Sequence, residues 1–270
     1  MVFIEIINGH KGVYMFKTLI VEEVQERIVV TMNRAKYKNS INELMLDEFH
    51  ILLDQLETVD KHKILVIQGD EVYFCTGMDL KIFERESTND SQASKQFCEK
   101  YMLLLKKISL LPKAVISIID GQVMAGGVGI VAVSDIVIAT PRSTFILSEA
   151  LWGLLPSMVL PYLIRRIGFQ NAYKMTLTAT RIEAANAREI NLVDILTDDT
   201  RKSLNFYAMK FSRISNETIK EIKLYFKKLW IINEKIENMG IEETNFLANK
   251  ECVKRNIVNF TKYNIFPWET

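Results

Sequence analysis

The chain has 270 residues, of which 49% are hydrophobic, 10% aromatic and 25% charged. This composition is typical of a globular protein and excludes disorder as the main state. Because 34 Lys and Arg balance 33 Asp and Glu, the net charge of +1 creates no global field that would hold nucleic acid or an anionic membrane. The composition therefore argues against a dedicated nucleic-acid-binding protein.

Charge is nevertheless distributed unevenly along the chain. Residues 201–270 carry 13 Lys and Arg against 8 Asp and Glu, a net charge of +5, so that residues 1–200 carry −4. Two interpretations are open: a solvated face of surface helices, or a docking surface for an acidic partner.

The three cysteines, Cys75, Cys98 and Cys252, are widely spaced and lie near no histidine cluster. This pattern argues against a disulfide framework and a zinc site, and it favours a reducing cytoplasm. No charge-free stretch reaches the roughly 20 residues of a membrane helix, and the N-terminus lacks the features of a signal peptide. We therefore expect a cytoplasmic protein with no metal.

The hydrophobic pattern of the first part of the chain predicts a hairpin and a helix. Residues 16–24 and 27–32 are rich in β-branched side chains and are separated by two residues, which predicts strand, turn and strand. Ser40 and Glu43 have the spacing of a capping box and predict the start of an amphipathic helix. The apolar run at 63–68 predicts a strand that is buried on both faces.

The pattern of the next part predicts a loop, a second buried strand and then mostly helices. Residues 84–96 have no apolar period and are predicted to form a mobile surface loop. Residues 113–119 predict another buried strand. Beyond about residue 160 the spacing is helical, and Asn216 is predicted to cap a long helix that extends to Ile236.

These elements divide the chain into two sections, because strands end where helices take over. Neither an internal repeat nor a linker rich in Pro or Ser marks a further boundary. We predict an α/β core with the active site at residues 1–197, followed by a helical section at residues 198–270.

Three segments carry residues that ordinary packing does not require. The first is FCTGMDL at residues 74–80. Gly77 permits a tight backbone turn directly after a short strand, and Asp79 can cap the element after that turn. A plain connection between a strand and a helix is the alternative interpretation of this segment.

The second segment is the glycine-rich MAGGVG at residues 124–129. Glycines at the N-terminus of a buried helix leave backbone N–H groups pointing at open space, where the helix dipole adds partial positive charge. Such a turn binds phosphate or stabilises an oxyanion, although the sequence lacks the patterns of a P-loop and of a dinucleotide fingerprint. Close helix packing is an equal alternative.

The third segment is SEALWGLLP at residues 148–156. Glu149 is the only charged residue in the apolar stretch 145–161. Such surroundings raise the pKa of a carboxyl group, which suits a general acid or base near neutral pH. An acid that merely complements a helix dipole is the alternative.

These three motifs, in this order and spacing, resemble the crotonase (enoyl-CoA hydratase/isomerase) superfamily. The likeness extends from about residue 16 to residue 196 and includes Asn33-Arg34. It implies a crotonase-type spiral of ββα units with a helical C-terminal trimerisation region, assembled as a homotrimer or a dimer of trimers. It also implies an acyl thioester substrate on coenzyme A or on the phosphopantetheine of an acyl carrier protein, with no further cofactor.

The resemblance implies roles for individual residues. The backbone N–H groups of Met78 and Gly126 match the family's oxyanion hole, and Glu149 matches the second of its two catalytic glutamates. The first glutamate falls on Gly129, which has no side chain, so a two-glutamate addition of water is not expected. Three residues are candidates for the substrate pocket: Gly127, Gly129 and Trp152.

A single acid/base beside an oxyanion hole can shift a double bond or eliminate a β-hydroxyl group. The segments FCTGMDL, SDIVIATP and SEALWGLLP are similar to the dehydratases of the polyketide β-branching cassette. That likeness implies dehydration of 3-hydroxy-3-methylglutaryl-acyl carrier protein to the 3-methylglutaconyl thioester. It also implies that basic residues of the C-terminal section steer an acidic carrier protein; candidates are Lys220, Lys223, Lys227 and Lys228.

Other activities on the same fold remain open. A Δ3,Δ2-enoyl thioester isomerase also needs one glutamate, and a decarboxylase would use the oxyanion hole without Glu149 as a base. Gly129 keeps open an inactive scaffold whose trimer surface binds partners. A residue for the distal carboxylate of the substrate is not assigned among Tyr73, Lys81 and Arg85, which lie near the first motif.

Overall fold

A computed structural model describes residues 13–81 and 91–269 of the chain. The described residues form two β-sheets that are covered by helices. The strands are β1 (Val13–Met15), β2 (Leu19–Val24), β3 (Arg27–Met32), β4 (Ile64–Gln68), β5 (Tyr73–Cys75), β6 (Ala114–Ile119), β7 (Gln122–Met124), β8 (Ile136–Ala139), β9 (Thr144–Ile146), β10 (Ile182–Glu183) and β11 (Ile195–Leu196).

Helices occur along the whole described chain and are the main structure after β11. They are α1 (Glu43–Thr58), α2 (Ser91–Leu110), α3 (Gly126–Val133), α4 (Leu160–Ile167), α5 (Phe169–Thr178), α6 (Ala184–Glu189), α7 (Thr200–Phe211), α8 (Asn216–Lys228), α9 (Glu234–Ala248) and α10 (Glu251–Tyr263), with short 3-10 helices at Ala35–Tyr37, Glu149–Trp152 and Pro267–Glu269. Within the described ranges, no helix is both long and apolar enough to cross a membrane.

The larger sheet has the strand order β1-β2-β3-β4-β6-β8-β11. Its first three strands pair antiparallel, and the remaining neighbours pair parallel. The smaller sheet has the order β10-β9-β7-β5, in which β5, β7 and β9 run parallel. Strands β4 and β6 are buried on both faces, as their unbroken apolar runs predict.

The predicted N-terminal hairpin is confirmed, but its first strand begins at Leu19 instead of at residue 16. The carboxylate of Glu48 on α1 accepts the backbone N–H groups of Lys17 at 2.7 Å and Thr18 at 2.9 Å. The backbone N–H groups of these residues therefore donate to a side chain of α1 and do not pair with a strand. The turn between β2 and β3 lies at Gln25, which has a φ of +57°.

The predicted cap of α1 at Ser40 is wrong. Asn42 is the cap, and its side chain accepts the backbone N–H of Met45 at 3.0 Å. Ser40 is engaged elsewhere, because the guanidinium of Arg34 donates to its carbonyl and, at 3.2 Å, to its hydroxyl. The tertiary contact with Arg34 thus overrides the local capping pattern.

The predicted loop at 84–96 is wrong from residue 91 onward, where α2 begins; residues 82–90 lie outside the described residues. A tertiary contact supports the polar start of this helix. The buried hydroxyl of Ser94 donates to the side-chain oxygen of Asn245 on α9 at 2.8 Å.

The long helix predicted to extend from Asn216 to Ile236 is two helices. Ser215, rather than Asn216, caps α8, which ends at Lys228. The side chain of Asn233 then accepts the N–H of Ile236 at 3.1 Å and caps α9. A second capping residue in the middle of the apolar pattern therefore divides it.

The C-terminal helices pack on the rest of their own chain. Besides the Ser94 contact, Lys106 on α2 forms an ion pair of 2.7 Å with the buried Glu237 on α9. Helix α10 packs on the 3-10 helix Glu149–Trp152, where a methyl group on Gly153 would lie 3.1 Å from Val253. The segment that contains Glu149 is thus covered by helices of the same chain.

Candidate active site

The topology of the smaller sheet brings the three sequence motifs together. Strands β5, β7 and β9 are neighbours and run parallel, and each leads directly into one of the motifs. The carboxyl ends of parallel strands lie at the same edge of a sheet, where ligands of α/β proteins commonly bind. The backbone N–H of Ala125 donates to the carbonyl of Ile146 at 2.9 Å and ties the second motif to the third.

The first motif forms a sharp turn at Gly77, which has a φ of +85°. An isolated bridge pairs Met78 with Ile41. Ile41 donates its N–H to Gly77 at 2.7 Å, and Asp79 donates its N–H back to Ile41 at 2.9 Å. The hydrogen bonds of this bridge therefore involve the carbonyl before Met78 and the N–H after it. The N–H of Met78 itself takes part in neither bond.

A buried ion pair fixes the end of this turn. Arg34 Nη2 lies 3.1 Å from Asp79 Oδ2, and the two side chains are 10% and 17% exposed. The guanidinium also lies over the ring of Tyr37, 4.7 Å from its centroid. Arg34, which the sequence analysis names only as part of the family likeness, therefore stabilises the turn that carries Met78.

Gly126 is the first residue of α3, so its N–H has no partner within the helix. Every residue of α3 is buried, and the partial positive charge of the helix N-terminus is therefore poorly screened. A methyl group on Gly77 would lie 3.0 Å from the backbone nitrogen of Gly126. The turns that carry the Met78 and Gly126 N–H groups are thus in direct contact.

The remaining glycines of the second motif allow close packing. A methyl group on Gly127 would lie 2.5 Å from the carbonyl oxygen of Cys75. One on Gly129 would overlap the hydroxyl oxygen of Tyr101 and lie 3.0 Å from Val159. Packing accounts for both glycines, and their predicted part in the substrate pocket stays a prediction.

Glu149 is the first residue of its 3-10 helix and is only 8% exposed. Its Oε2 atom is buried and has no hydrogen-bond partner among the described residues. Burial raises the pKa of this carboxyl group to about 7, although a hydrogen bond from its own backbone N–H partly opposes the shift. Glu149 can therefore exchange a proton near neutral pH, which is the requirement for a general acid/base.

Tyr101 on α2 was not singled out from the sequence, because it only continues the apolar helical spacing of Phe97, Leu105 and Ile108. It is fully buried, and its hydroxyl donates to the carbonyl of Gly126 at 2.6 Å. Burial raises its pKa well above the usual range, and the nearby charges of Cys75 and Glu149 add to the shift. The hydroxyl on an otherwise apolar face was the signal, because a buried O–H needs a partner.

Trp152 lies in a small hydrophobic cluster and is 9% exposed. Its ring meets those of Phe260 at 5.0 Å and Phe266 at 6.3 Å between centroids. Met78 packs against the same cluster, which connects Trp152 to the first motif. A pocket role for Trp152 stays a prediction.

Two of the three candidates for a distal carboxylate partner lie within the described residues. Lys81 is exposed, Tyr73 is partly buried with its ring 5.8 Å from Lys38 Nζ, and Arg85 lies outside the described residues. No group of three or more His, Cys, Asp or Glu side chains in the described ranges is placed to hold a metal ion.

Helix α8, which carries the proposed basic residues, contacts the rest of the chain away from the three motifs. Lys223 is engaged internally, since its Nζ lies 2.7 Å from Asp135 and donates to the carbonyl of Lys113 at 2.9 Å. Asp135 follows the C-terminal end of α3, and the eight residues of that helix rise about 12 Å from Gly126. Helix α8 therefore packs at the opposite end of α3 from the candidate oxyanion hole.

Comparisons with known proteins assign the chain to a family. The profile of the enoyl-CoA hydratase/isomerase family matches residues 22–268. The bacillaene synthase dehydratase PksH of Bacillus subtilis (strain 168) is 31% identical over 241 residues, covering 89% of this chain and 92% of PksH. The enoyl-CoA hydratase EchA19 of Mycobacterium tuberculosis is 31% identical over 183 residues, covering 67% of this chain and 68% of EchA19.

Solved structures show the same fold. The crystal structure of PksH, a polyketide biosynthesis enoyl-CoA hydratase of Bacillus subtilis, matches with a TM-score of 0.87 at 30% identity, covering 94% of this chain and all of that one. An enoyl-CoA hydratase from Bacillus halodurans matches with a TM-score of 0.81 at 16% identity, covering 89% and 99% of the two chains. The second likeness is one of fold alone.

The fold and the family match define an enzyme of the crotonase class, with an α/β core and C-terminal helices as predicted. The chain belongs to the enoyl-CoA hydratase/isomerase family, and it is a lyase-type enzyme of the hydratase and dehydratase kind.

Proposed function

We propose that this enzyme dehydrates 3-hydroxy-3-methylglutaryl-acyl carrier protein to 3-methylglutaconyl-acyl carrier protein in the β-branching of a polyketide. The observation that carries the proposal is the state of Glu149. Its carboxyl group is buried, has an Oε2 atom without a partner among the described residues, and has a pKa raised to about 7. The 31% identity to a polyketide dehydratase over 89% of the chain supports the choice of substrate class.

In the proposed reaction, the thioester oxygen accepts hydrogen bonds from the N–H groups of Met78 and Gly126. The carboxylate of Glu149 takes the α-proton, and the electron pair of the broken C–H bond forms an enolate whose charge these donors stabilise. The bond between the β-carbon and its hydroxyl then breaks, and Glu149 returns the proton to the departing oxygen. One water leaves, and the α,β double bond remains.

The surroundings of Gly129 support a one-glutamate mechanism. Position 129 has no side chain, and the Tyr101 hydroxyl lies where a β-carbon would be. A single group that first accepts and later returns the proton satisfies both halves of a syn elimination. The same groups would also serve a Δ3,Δ2-isomerase, so the substrate test must separate the two reactions.

The test is incubation with 3-hydroxy-3-methylglutaryl loaded on a carrier protein, followed by mass spectrometry of the acyl group. We expect the loss of one water per acyl group. An enzyme that leaves this substrate intact but converts a 3-enoyl thioester to its 2-enoyl isomer would be an isomerase. Release of carbon dioxide from the 3-methylglutaconyl thioester would instead indicate a decarboxylase, and turnover of none of these would indicate an inactive scaffold.

We further propose that the enzyme is a homotrimer or a dimer of trimers in the cytoplasm. Helix α5 supports self-association, because Phe169, Tyr173 and Leu177 recur at helical spacing and are 66%, 51% and 66% exposed. Cys75 and Cys252 are free thiols, which suits a reducing compartment. Light scattering of the intact enzyme measures the molar mass of the assembly. Substitution of Leu177 by Asp should lower this molar mass.

A further inference from the structure

The hydroxyl of Tyr101 contacts the turn that is proposed as part of the oxyanion hole. It donates to the carbonyl of Gly126 at 2.6 Å, and its ring atoms lie close to the same residue, 3.4 Å from where a β-carbon of Gly126 would be. Tyr101 itself is fully buried, so no solvent competes for this bond. Burial raises the pKa of Tyr101, and the charge of Glu149 adds to the rise.

Two glycines form the surface against which this tyrosine packs. Gly126 and Gly129 are three residues apart and therefore lie on one face of α3. A β-carbon on Gly129 would overlap the Tyr101 hydroxyl, whereas its next neighbours, Val159 Cγ2 at 3.0 Å and Leu105 Cδ1 at 3.4 Å, are methyl groups of apolar side chains. The missing side chain at Gly129 thus makes room for one hydroxyl group.

We propose that Tyr101 is a positioning residue, whose hydrogen bond to the Gly126 carbonyl holds the first turn of α3 in the geometry that stabilises the enolate. The inference rests on the proposed function. The hydroxyl is buried against protein and already donates its proton, so it acts on the reaction through Gly126. Loss of this bond should weaken the stabilisation of the charge that develops in the transition state more than it weakens substrate binding.

The first test is Tyr101→Phe, which removes the hydroxyl and keeps the ring. We expect kcat for dehydration to fall about tenfold, the equivalent of one buried hydrogen bond, while KM changes less than about twofold. Amide hydrogen exchange in a peptide that covers residues 126–129 should become faster. The matched control is Tyr162→Phe, which removes the hydroxyl of another buried tyrosine, on α4, and should leave kcat unchanged.

The double variant Tyr101→Phe/Gly129→Ala separates positioning from packing. The methyl group at position 129 fills the space that the hydroxyl leaves, so Tm should recover towards that of the wild type. Because the hydrogen bond is still missing, kcat should stay low and exchange at 126–129 should stay fast. Recovery of kcat together with Tm would mean that the hydroxyl only fills space, and the inference would be wrong.

Two further results would also overturn it. One is a normal kcat together with normal exchange at residues 126–129 in Tyr101→Phe, and the other is an equal loss of kcat in the Tyr162→Phe control. Failure of the wild-type enzyme to dehydrate its substrate would refute the proposed function instead. In that case hydrogen exchange still decides whether Tyr101 holds the turn, because this measurement needs no substrate.

Discussion

Gly77 and Gly126 lie so close together that the absence of a side chain on Gly77 sets the distance between the two turns of the site. A methyl group on Gly77 would lie 3.0 Å from the backbone nitrogen of Gly126 and 2.7 Å from the β-carbon of Ala125. Gly77 also has a φ of +85°, which L-residues with a side chain rarely adopt. Gly77 therefore allows the turns that carry the two proposed hydrogen-bond donors, on Met78 and Gly126, to lie next to each other, although Gly77 has no reactive group.

Substitution Gly77→Ala should move the Met78 N–H away from the Gly126 N–H. We expect a loss of dehydration activity of about 100- to 1,000-fold, since displacement of one oxyanion donor costs roughly 3 to 4 kcal/mol of transition-state stabilisation. The free energy of unfolding should fall by about 2 to 4 kcal/mol, from the left-handed backbone and from overpacking against Ala125. Steady-state kinetics and denaturant unfolding measure the two effects.

Gly168→Ala is the matched control for that variant. Gly168 has a φ of +79°, nearly that of Gly77, but a methyl group there would meet nothing within 4 Å. With a ψ of 162°, its backbone lies in a region that essentially only glycine adopts, so the substitution should cost about 1 to 3 kcal/mol of stability through the backbone alone and leave kcat unchanged. If Gly168→Ala lost as much activity as Gly77→Ala, the loss would reflect stability and not the geometry of the site.

Glu149→Gln keeps the size of the side chain and removes its titration. We expect kcat to fall at least about 100-fold. In the wild-type enzyme kcat should rise with pH and reach half of its maximum near pH 7, because the raised pKa is about 7 and only the carboxylate can take the α-proton. A flat wild-type profile between pH 5 and pH 9, together with full activity of Glu149→Gln, would exclude Glu149 as the base.

The same carboxyl group should make stability depend on pH. Its pKa is raised from an ordinary 4.5 to about 7 in the folded state, so between these values the folded state binds the proton that the unfolded state releases. The stabilisation is fully present below about pH 4.5 and is lost as pH rises through 7, a difference on the order of 3 kcal/mol. Denaturant unfolding of the wild type against Glu149→Gln isolates this contribution, and parallel curves would contradict it.

The three motifs could be found from the sequence because each carries a residue type that packing does not require. The sequence could not show why they meet. Strands β5, β7 and β9 have only three residues each, too short for a periodic pattern, and yet their parallel pairing brings the motifs to one edge.

Contacts with residues outside the local pattern account for two of the sequence predictions that were wrong and for the residue that was missed. Ser40 fits a capping box but bonds to Arg34, and the start of α2 depends on a bond from Ser94 to Asn245. Tyr101 fits an apolar stripe, and only the structure shows its partner at Gly126. In each case the hydrogen-bond partner lies outside the local pattern on which the prediction was based, so the spacing of residues could not indicate it.

The location of the basic residues leads to a prediction about the carrier protein. Lys36 and Lys38 are exposed at the 3-10 helix Ala35–Tyr37. The hydroxyl of Thr76 donates to the carbonyl of Lys38 at 3.0 Å, and the ion pair of Arg34 with Asp79 also ties this helix to the first motif. These two lysines are therefore better placed than those of α8 to meet an acidic carrier as it presents its thioester.

Charge reversal of Lys36 and Lys38 to Glu should raise the KM for carrier-bound substrate about tenfold or more at low salt, and less at high salt, because the attraction between exposed charges is screened. The KM for the same acyl group on pantetheine should change little, since that substrate has no acidic protein surface. The same change at Lys227 and Lys228, at the far end of α8, is the matched control and should have a small effect. If the change at Lys227 and Lys228 raised the KM for the carrier-bound substrate more, the docking surface would lie on the basic C-terminal section. If the change at Lys36 and Lys38 raised the KM for both substrates equally, these two lysines would have no role in carrier docking.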